Sequence, residues 1–329
     1  MERNAKIIAT GMYAPDKIVS NEYFNKLLDE DVSTWLEENL TIKERRWCND
    51  DESTADLAEG VSRILLKNAN LKPDDIDLII LSTDTPEYIS PSSASVLQYR
   101  IGAKNAGTFD INTACAGFVT AVDMGAKYIQ ADGRYNNILV IGAYAMSKYL
   151  NMEDKKTVTL FADGAGGVIL QSTTENRGWQ GSKLHTKGQY ADWMGIYAGG
   201  TKTPISDTAI ANHDHQLKFV KKFPKEINPT TWTKMVTETV IGSGFNVSDI
   251  NMIFLTQINI NSIRETMENL GLSMDKTHTV MDRYGYTGSA CIPMALAEAD
   301  GLGKIKPGDL IVFMGSGGGL AFATAVFKW

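Results

Sequence analysis

Cys115 stands in Asp110-Ile-Asn-Thr-Ala-Cys-Ala-Gly-Phe-Val-Thr-Ala-Val122, where a short strand turns into a helix. A thiol at a helix N-terminus lies beside unpaired N–H groups and a partial positive charge, which stabilise a thiolate and lower its pKa. The same N–H groups offer an oxyanion site. The chemistry this suggests is nucleophilic group transfer; the competing reading is a small buried thiol that only fills space. Thr256 and Tyr286 sit at comparable strand ends, and a fourth end carries Gly315-Ser-Gly-Gly-Gly319. Its glycines permit close backbone approach and N–H groups aimed at an anion, or simply make a tight turn. His213 and His215 form an H-x-H pair in a polar stretch with no third ligand at credible spacing, so no metal is expected.

What positions these residues is an internal duplication. Asp75-Ile-Asp-Leu-Ile-Ile-Leu-Ser-Thr-Asp84 matches Asp249-Ile-Asn-Met-Ile-Phe-Leu-Thr-Gln-Ile258 at an offset of 249 − 75 = 174. Thr113 falls on Thr287 at the same offset, and Ile138-Leu-Val-Ile-Gly-Ala143 meets Ile311-Val-Phe-Met-Gly-Ser316 at 311 − 138 = 173. Each half reads as alternating strands and helices with near-continuous apolar strands, which predicts an α/β layered fold built twice. Ligands of open α/β sheets bind beyond the carboxyl ends of strands. A pseudo-two-fold then brings Cys115, Thr256 and Tyr286 together. The expected organisation is a first half over 1–171, an inserted covering loop over 172–219 that is rich in Gly, Thr, Asn, Asp and His, and a second half over 220–329.

The 329 residues are 43% hydrophobic, 22% charged and 9% aromatic, values of an ordinary folded enzyme. A net charge of -7 argues against nucleic acid as the main partner. Cys48, Cys115 and Cys291 are odd in number and far apart, which suits reduced thiols and a cytoplasmic location. No apolar run approaches the roughly 18 residues of a membrane span, and the first residues lack a signal-peptide core.

The chain resembles the β-ketoacyl-acyl-carrier-protein synthase III family of the thiolase superfamily. The most specific stretches are Asp110 to Gly117, Leu160-Phe-Ala-Asp-Gly-Ala-Gly-Gly-Val-Ile-Leu170 and Tyr284-Gly-Tyr-Thr-Gly-Ser-Ala-Cys-Ile-Pro293. The resemblance implies a thiolase-like five-layer αβαβα fold, a homodimer, and an acyl-enzyme formed on Cys115 from acyl-CoA, with no further cofactor. It also implies an oxyanion site from the N–H groups of Cys115 and Gly318.

The same resemblance exposes two departures. The family's His-Gln-Ala-Asn reads Thr256-Gln257-Ile258-Asn259, and its Gly-Asn-Thr reads Gly285-Tyr286-Thr287, so a Cys-Thr-Tyr set replaces Cys-His-Asn. Hydroxyls donate hydrogen bonds but are not bases near neutral pH. His278 precedes Tyr286 by eight residues, roughly 26 Å along an extended segment at about 3.3 Å per residue, too far to substitute. The helix that docks acyl carrier protein in the family is basic, yet here Arg264 is offset by Glu265 and Glu268, with Lys221, Lys222 and Lys225 as other sources of charge. Trp35 and Lys155 match the family's adenine-side tryptophan and phosphate-side arginine. Ser90 falls at the acyl gate, which leaves room beyond acetyl, and Asn259 completes the substrate contacts.

Two functions remain. One is an acyltransferase that loads Cys115 and passes the acyl group to a malonyl thioester or another acceptor. The other is a non-catalytic or regulatory paralogue that binds acyl thioesters and pairs with an active copy.

Overall fold

A computed structural model describes residues 3–329. In the first half, strand β1 (Asn4–Tyr13) leads through helix α1 (Thr54–Ala69) to β2 (Leu78–Ser82), α2 (Ser93–Ile101), β3 (Gly107–Ile111), α3 (Gly117–Ala131), β4 (Asn137–Ala145) and β5 (Asp163–Thr173). Spatial order in this sheet is β1-β5-β4-β2-β3, and β2 is parallel to both β3 and β4. Every residue of β2 is buried, which is why its sequence, Leu-Ile-Ile-Leu-Ser, shows no polar alternation.

The second half repeats the plan with β6 (Gly178–Thr186), α4 (Ile227–Gly242), β7 (Ile250–Leu255), α5 (Ile260–Asn269), α6 (Cys291–Gly301), β8 (Leu310–Gly317) and β9 (Ala321–Lys328), its sheet ordered β7-β8-β9-β6. The counterpart of β3 has shrunk to one parallel bridge, Ile253 with Thr277. Helix α3 packs against both sheets and runs with α6 through the middle of the molecule, while α1 and α2 cover the first sheet and α4 covers the second with α5 against it. The layers are therefore α, β, α, β, α.

The expectation that 172–219 is a covering loop is corrected in part. Strand β6 lies inside it and pairs with β9 along its whole length. It is the second copy of β1, at the duplication's own offset of 178 − 4 = 174. The polar, Gly-rich composition arises because β6 is a sheet edge whose outer half is exposed. Only the stretch beyond Thr186, a chain of short turns with a two-residue pairing of Met194–Gly195 with Lys218–Phe219, is loop-like. The 171/172 boundary also cuts the last two residues from β5.

Candidate active site

Strand β3 ends at Ile111, and a 3-10 turn, Ala114–Ala116, carries Cys115 to the start of α3. Ala114 takes a left-handed φ of +47°, the conformation adopted by its counterpart Gly288 at +48°. Gly117 opens α3 because a Cβ there would lie 1.8 Å from Ser82 Oγ. The turn is clamped from the second half as well: a Cβ on Gly317 would sit 2.4 Å from the Cys115 nitrogen, so only glycine lets the end of β8 lie against this amide. Gly318 comes next in that loop.

Cys115 is 2% exposed and lines a cavity of about 630 Å³ together with Trp35, Asn228, Asn259, Tyr286, Ser316 and Gly317. A second cavity of about 700 Å³ shares the Trp35, Leu160, Phe219, Lys222 and Phe223 wall and is lined by Lys155, Lys156 and Lys221. The two adjoin, the thiol lining one and the lysines, with Glu30 and Asp31, lining the other.

Tyr286 is buried and fixed by its backbone, which pairs with the Leu160-Phe-Ala stretch: its N–H donates to Leu160 O at 2.9 Å and its carbonyl accepts from Ala162 N at 2.9 Å. Its ring packs on Phe161 at 5.4 Å between centroids. From there the phenol stands close enough to the Cys115 sulfur to favour its thiolate form. Burial nonetheless pushes the Cys115 thiol well above its ordinary value, and the Asp84 carboxylate adds to the rise. Burial thus opposes the lowering expected of a helix N-terminus, and on balance the thiol is held above its ordinary value. Burial likewise raises Tyr286 far above the usual phenol range, so it stays a neutral donor.

Thr256 is fully buried, and its hydroxyl is committed to the backbone of β8. It accepts from Ser316 N at 2.8 Å and donates to Ser316 O at 3.3 Å, and it does not line the cavity. It positions the glycine turn rather than facing substrate. Gln257 beside it clamps the Tyr286 segment, donating to His278 O at 3.0 Å and accepting from Val280 N at 2.9 Å. The His278 ring turns away to Glu298 at 2.8 Å and Lys304 at 2.9 Å. The segment is not extended as the distance argument assumed, because Met281–Tyr284 form a helical turn; His278 is excluded by orientation instead.

The remaining expected residues divide. Asn259 lines the cavity, its Oδ1 capping α5 through Asn261 N at 2.9 Å. Trp35 is 56% exposed and joins the two cavities, whereas Lys155 is held by Glu30 at 2.8 Å, an exposed pair weak enough for a phosphate to displace. Ser90 lies on the exposed surface and the structure does not bring it to the Cys115 cavity. Three site residues escaped the sequence reading. Asn228 and Ser316 line the cavity 3.5 Å apart, and Asp84 lies within electrostatic range of the thiol. A carboxylate two residues beyond a fully buried strand was the available signal for Asp84.

Residues 109–188 match the 3-Oxoacyl-[acyl-carrier-protein (ACP)] synthase III family, and residues 242–329 match its C-terminal part. The β-ketoacyl-[acyl-carrier-protein] synthase III of Clostridium acetobutylicum is 37% identical over 99% of both chains, and that of Clostridioides difficile is 35% identical over 100% of this chain and 99% of its own. The chain belongs to the 3-oxoacyl-[acyl-carrier-protein] synthase III family. Among solved members, the Aquifex aeolicus synthase superposes with a TM-score of 0.88 at 30% identity, covering 99% of this chain and 100% of its own, and the Thermus thermophilus one with 0.88 at 28%, covering 98% and 99%. Family membership makes the chain an acyltransferase with the thiolase-like fold. Among the described residues no helix is long and apolar enough to cross a membrane.

Proposed function

We propose that the protein loads an acyl group from acyl-CoA onto Cys115 and hands it to an acceptor, acting as a cytoplasmic homodimer with weak decarboxylation of malonyl thioesters. The observation that carries this is the enclosure of Cys115 between the Tyr286 phenol and the glycine turn, beside the cavity that the lysines line. The Cys115 sulfur attacks the thioester carbon while the N–H groups of Cys115 and Gly318 take the oxyanion; the bond to the coenzyme A sulfur then breaks, and that sulfur leaves with the proton given up by the thiol. Trp35 receives the adenine, and Lys155, Lys156 and Lys222 meet the phosphates as point charges.

The second half-reaction is weakened for a stated reason. Thr256 spends its hydroxyl on Ser316, and Tyr286 is engaged with the sulfur, so neither is free to hold an enolate oxygen. Asn228 and Ser316 are among the remaining side-chain donors that line the cavity. Lys222 and Lys225 at its mouth, opposed by Glu265, give a partly basic rim for an acidic carrier. Loss of one positioned donor costs about 100- to 1,000-fold. CO2 release from a malonyl thioester is therefore expected to lag a relative with His and Asn by at least that factor, and Thr256→His combined with Tyr286→Asn should raise it. Release by wild type at the relative's rate contradicts the weakened half-reaction. The non-catalytic reading is disfavoured because the nucleophile turn and its glycine clamp are both intact.

A further inference from the structure

The segment Thr159-Leu-Phe-Ala162 that fixes Tyr286 belongs to neither sheet, and a single bridge joins Phe161 to Tyr286. Its own place is set by three successive carbonyls. Thr159 O accepts from Arg45 Nη2 at 2.5 Å, Leu160 O from Tyr286 N at 2.9 Å, and Phe161 O from Trp47 Nε1 at 3.1 Å. The middle carbonyl holds Tyr286, and the outer two are taken by residues two apart at the end of the short strand Glu44–Arg46, whose side chains face the same way. Arg46, between them, turns instead over the Tyr284 ring, 5.8 Å from its centroid.

Arg45 is fully buried, and its hydrogen-bond partners are all neutral. Besides the Thr159 carbonyl, Nη1 donates to Val19 O at 3.2 Å and Asn21 Oδ1 at 2.8 Å, and the guanidinium lies over the Phe24 ring at 4.6 Å. Glu44 is the carboxylate it feels, and that carboxylate pairs with Arg46 at 3.9 Å. A buried cation without a paired anion is costly, and an apolar side chain of similar volume would fill the space at less cost. The fit around it leaves no slack. Gly285, the residue before Tyr286, has a φ of +61°, and a Cβ there would stand 2.8 Å from Arg45 Cβ, 3.1 Å from Leu160 O and 3.2 Å from Ala162 Cβ. Leu160 and Tyr286 both line the cavity that holds Cys115.

We propose that Arg45, seconded by Trp47, is a positioning residue for the thiol: by holding the Thr159–Phe161 carbonyls it sets where the Tyr286 phenol meets the Cys115 sulfur. The inference rests on Cys115 as the nucleophile and on Tyr286 as the group that serves its sulfur. A charge-assisted hydrogen bond to a backbone carbonyl is strong and directional, which suits a residue that fixes another's backbone.

The test is the rate at which iodoacetamide alkylates Cys115 near neutral pH, mapped by peptide mass spectrometry, in wild type, Arg45→Met, Tyr286→Phe and the double variant. Loosening a buried site exposes the thiol and speeds labelling, so a merely structural Arg45 predicts an unchanged or faster rate, whereas a displaced phenol predicts a slower one. Arg45→Met should slow labelling about threefold or more, in the range of coupling within one hydrogen-bond network. Arg45→Lys keeps a cationic donor for the Thr159 carbonyl and should recover part of the loss. In Tyr286→Phe the group being positioned is gone, so adding Arg45→Met should change the rate by less than about twofold. Trp47→Phe removes the bond to Phe161 O without touching a charge and carries the same comparison should Arg45→Met fail to fold. Labelling of the single variant at or above the wild-type rate, or equal slowing with and without the Tyr286 phenol, overturns the positioning role alone. Tyr286→Phe that labels like wild type overturns the assignment of Tyr286 and this inference with it.

Discussion

Replacing Tyr286 by Phe removes one oxygen and leaves the ring against Phe161, so the fold should tolerate it. The lost group is a donor to the Cys115 sulfur. A hydrogen bond to a charged group is worth about 1.5–3 kcal/mol, which corresponds to about 1–2 pKa units at 1.36 kcal/mol per unit. The sign is set by which form is stabilised: the phenol favours the thiolate, so its removal raises the thiol pKa further, on top of the rise from burial and from Asp84. Below that pKa the thiolate fraction falls about tenfold for each unit. Alkylation of Cys115 by iodoacetamide, monitored against pH, should therefore slow about 10- to 100-fold near neutrality in Tyr286→Phe, with the profile displaced to higher pH. Labelling at the wild-type rate across the whole range refutes the assignment of Tyr286 to the sulfur.

Other substitutions separate the parts of the site. Gly317→Ala places a Cβ against the Cys115 nitrogen; acylation by acyl-CoA should fall about 100- to 1,000-fold, while iodoacetamide labelling, which needs no oxyanion site, falls much less. Thr256→Ser should melt like wild type, whereas Thr256→Val leaves the buried Ser316 N–H without its acceptor, costs about 1–3 kcal/mol and lowers the melting temperature by several degrees. Asp84→Asn removes a negative charge that raises the thiol pKa, so the alkylation profile should move to lower pH; an unmoved profile or one displaced upward contradicts the coupling.

The layered fold and the turn that carries Cys115 were legible because both leave linear signals: apolar runs repeated at a fixed offset, and a small-residue turn between strand and helix. The second copy of β1 was hidden, since Gly178–Thr186 is an edge strand whose exposed half reads as loop. The role of Thr256 was hidden for another reason. Its position at a strand end was right, but which way a hydroxyl turns depends on the neighbouring strand, and the Ser316 backbone claims it. Asn228 and Asp84 carry no motif; they matter only through which strand or helix ends the duplication brings together. The direction of the Cys115 shift likewise needed the third dimension, because depth of burial outweighs the favourable helix terminus.

The central claim is that Cys115 accepts an acyl group from acyl-CoA. Wild-type protein mixed with butyryl-CoA should gain one butyryl mass, mapped by peptide analysis to the segment containing Cys115, and Cys115→Ala should gain none. An unmodified wild-type protein, or an adduct that persists in Cys115→Ala, contradicts the account.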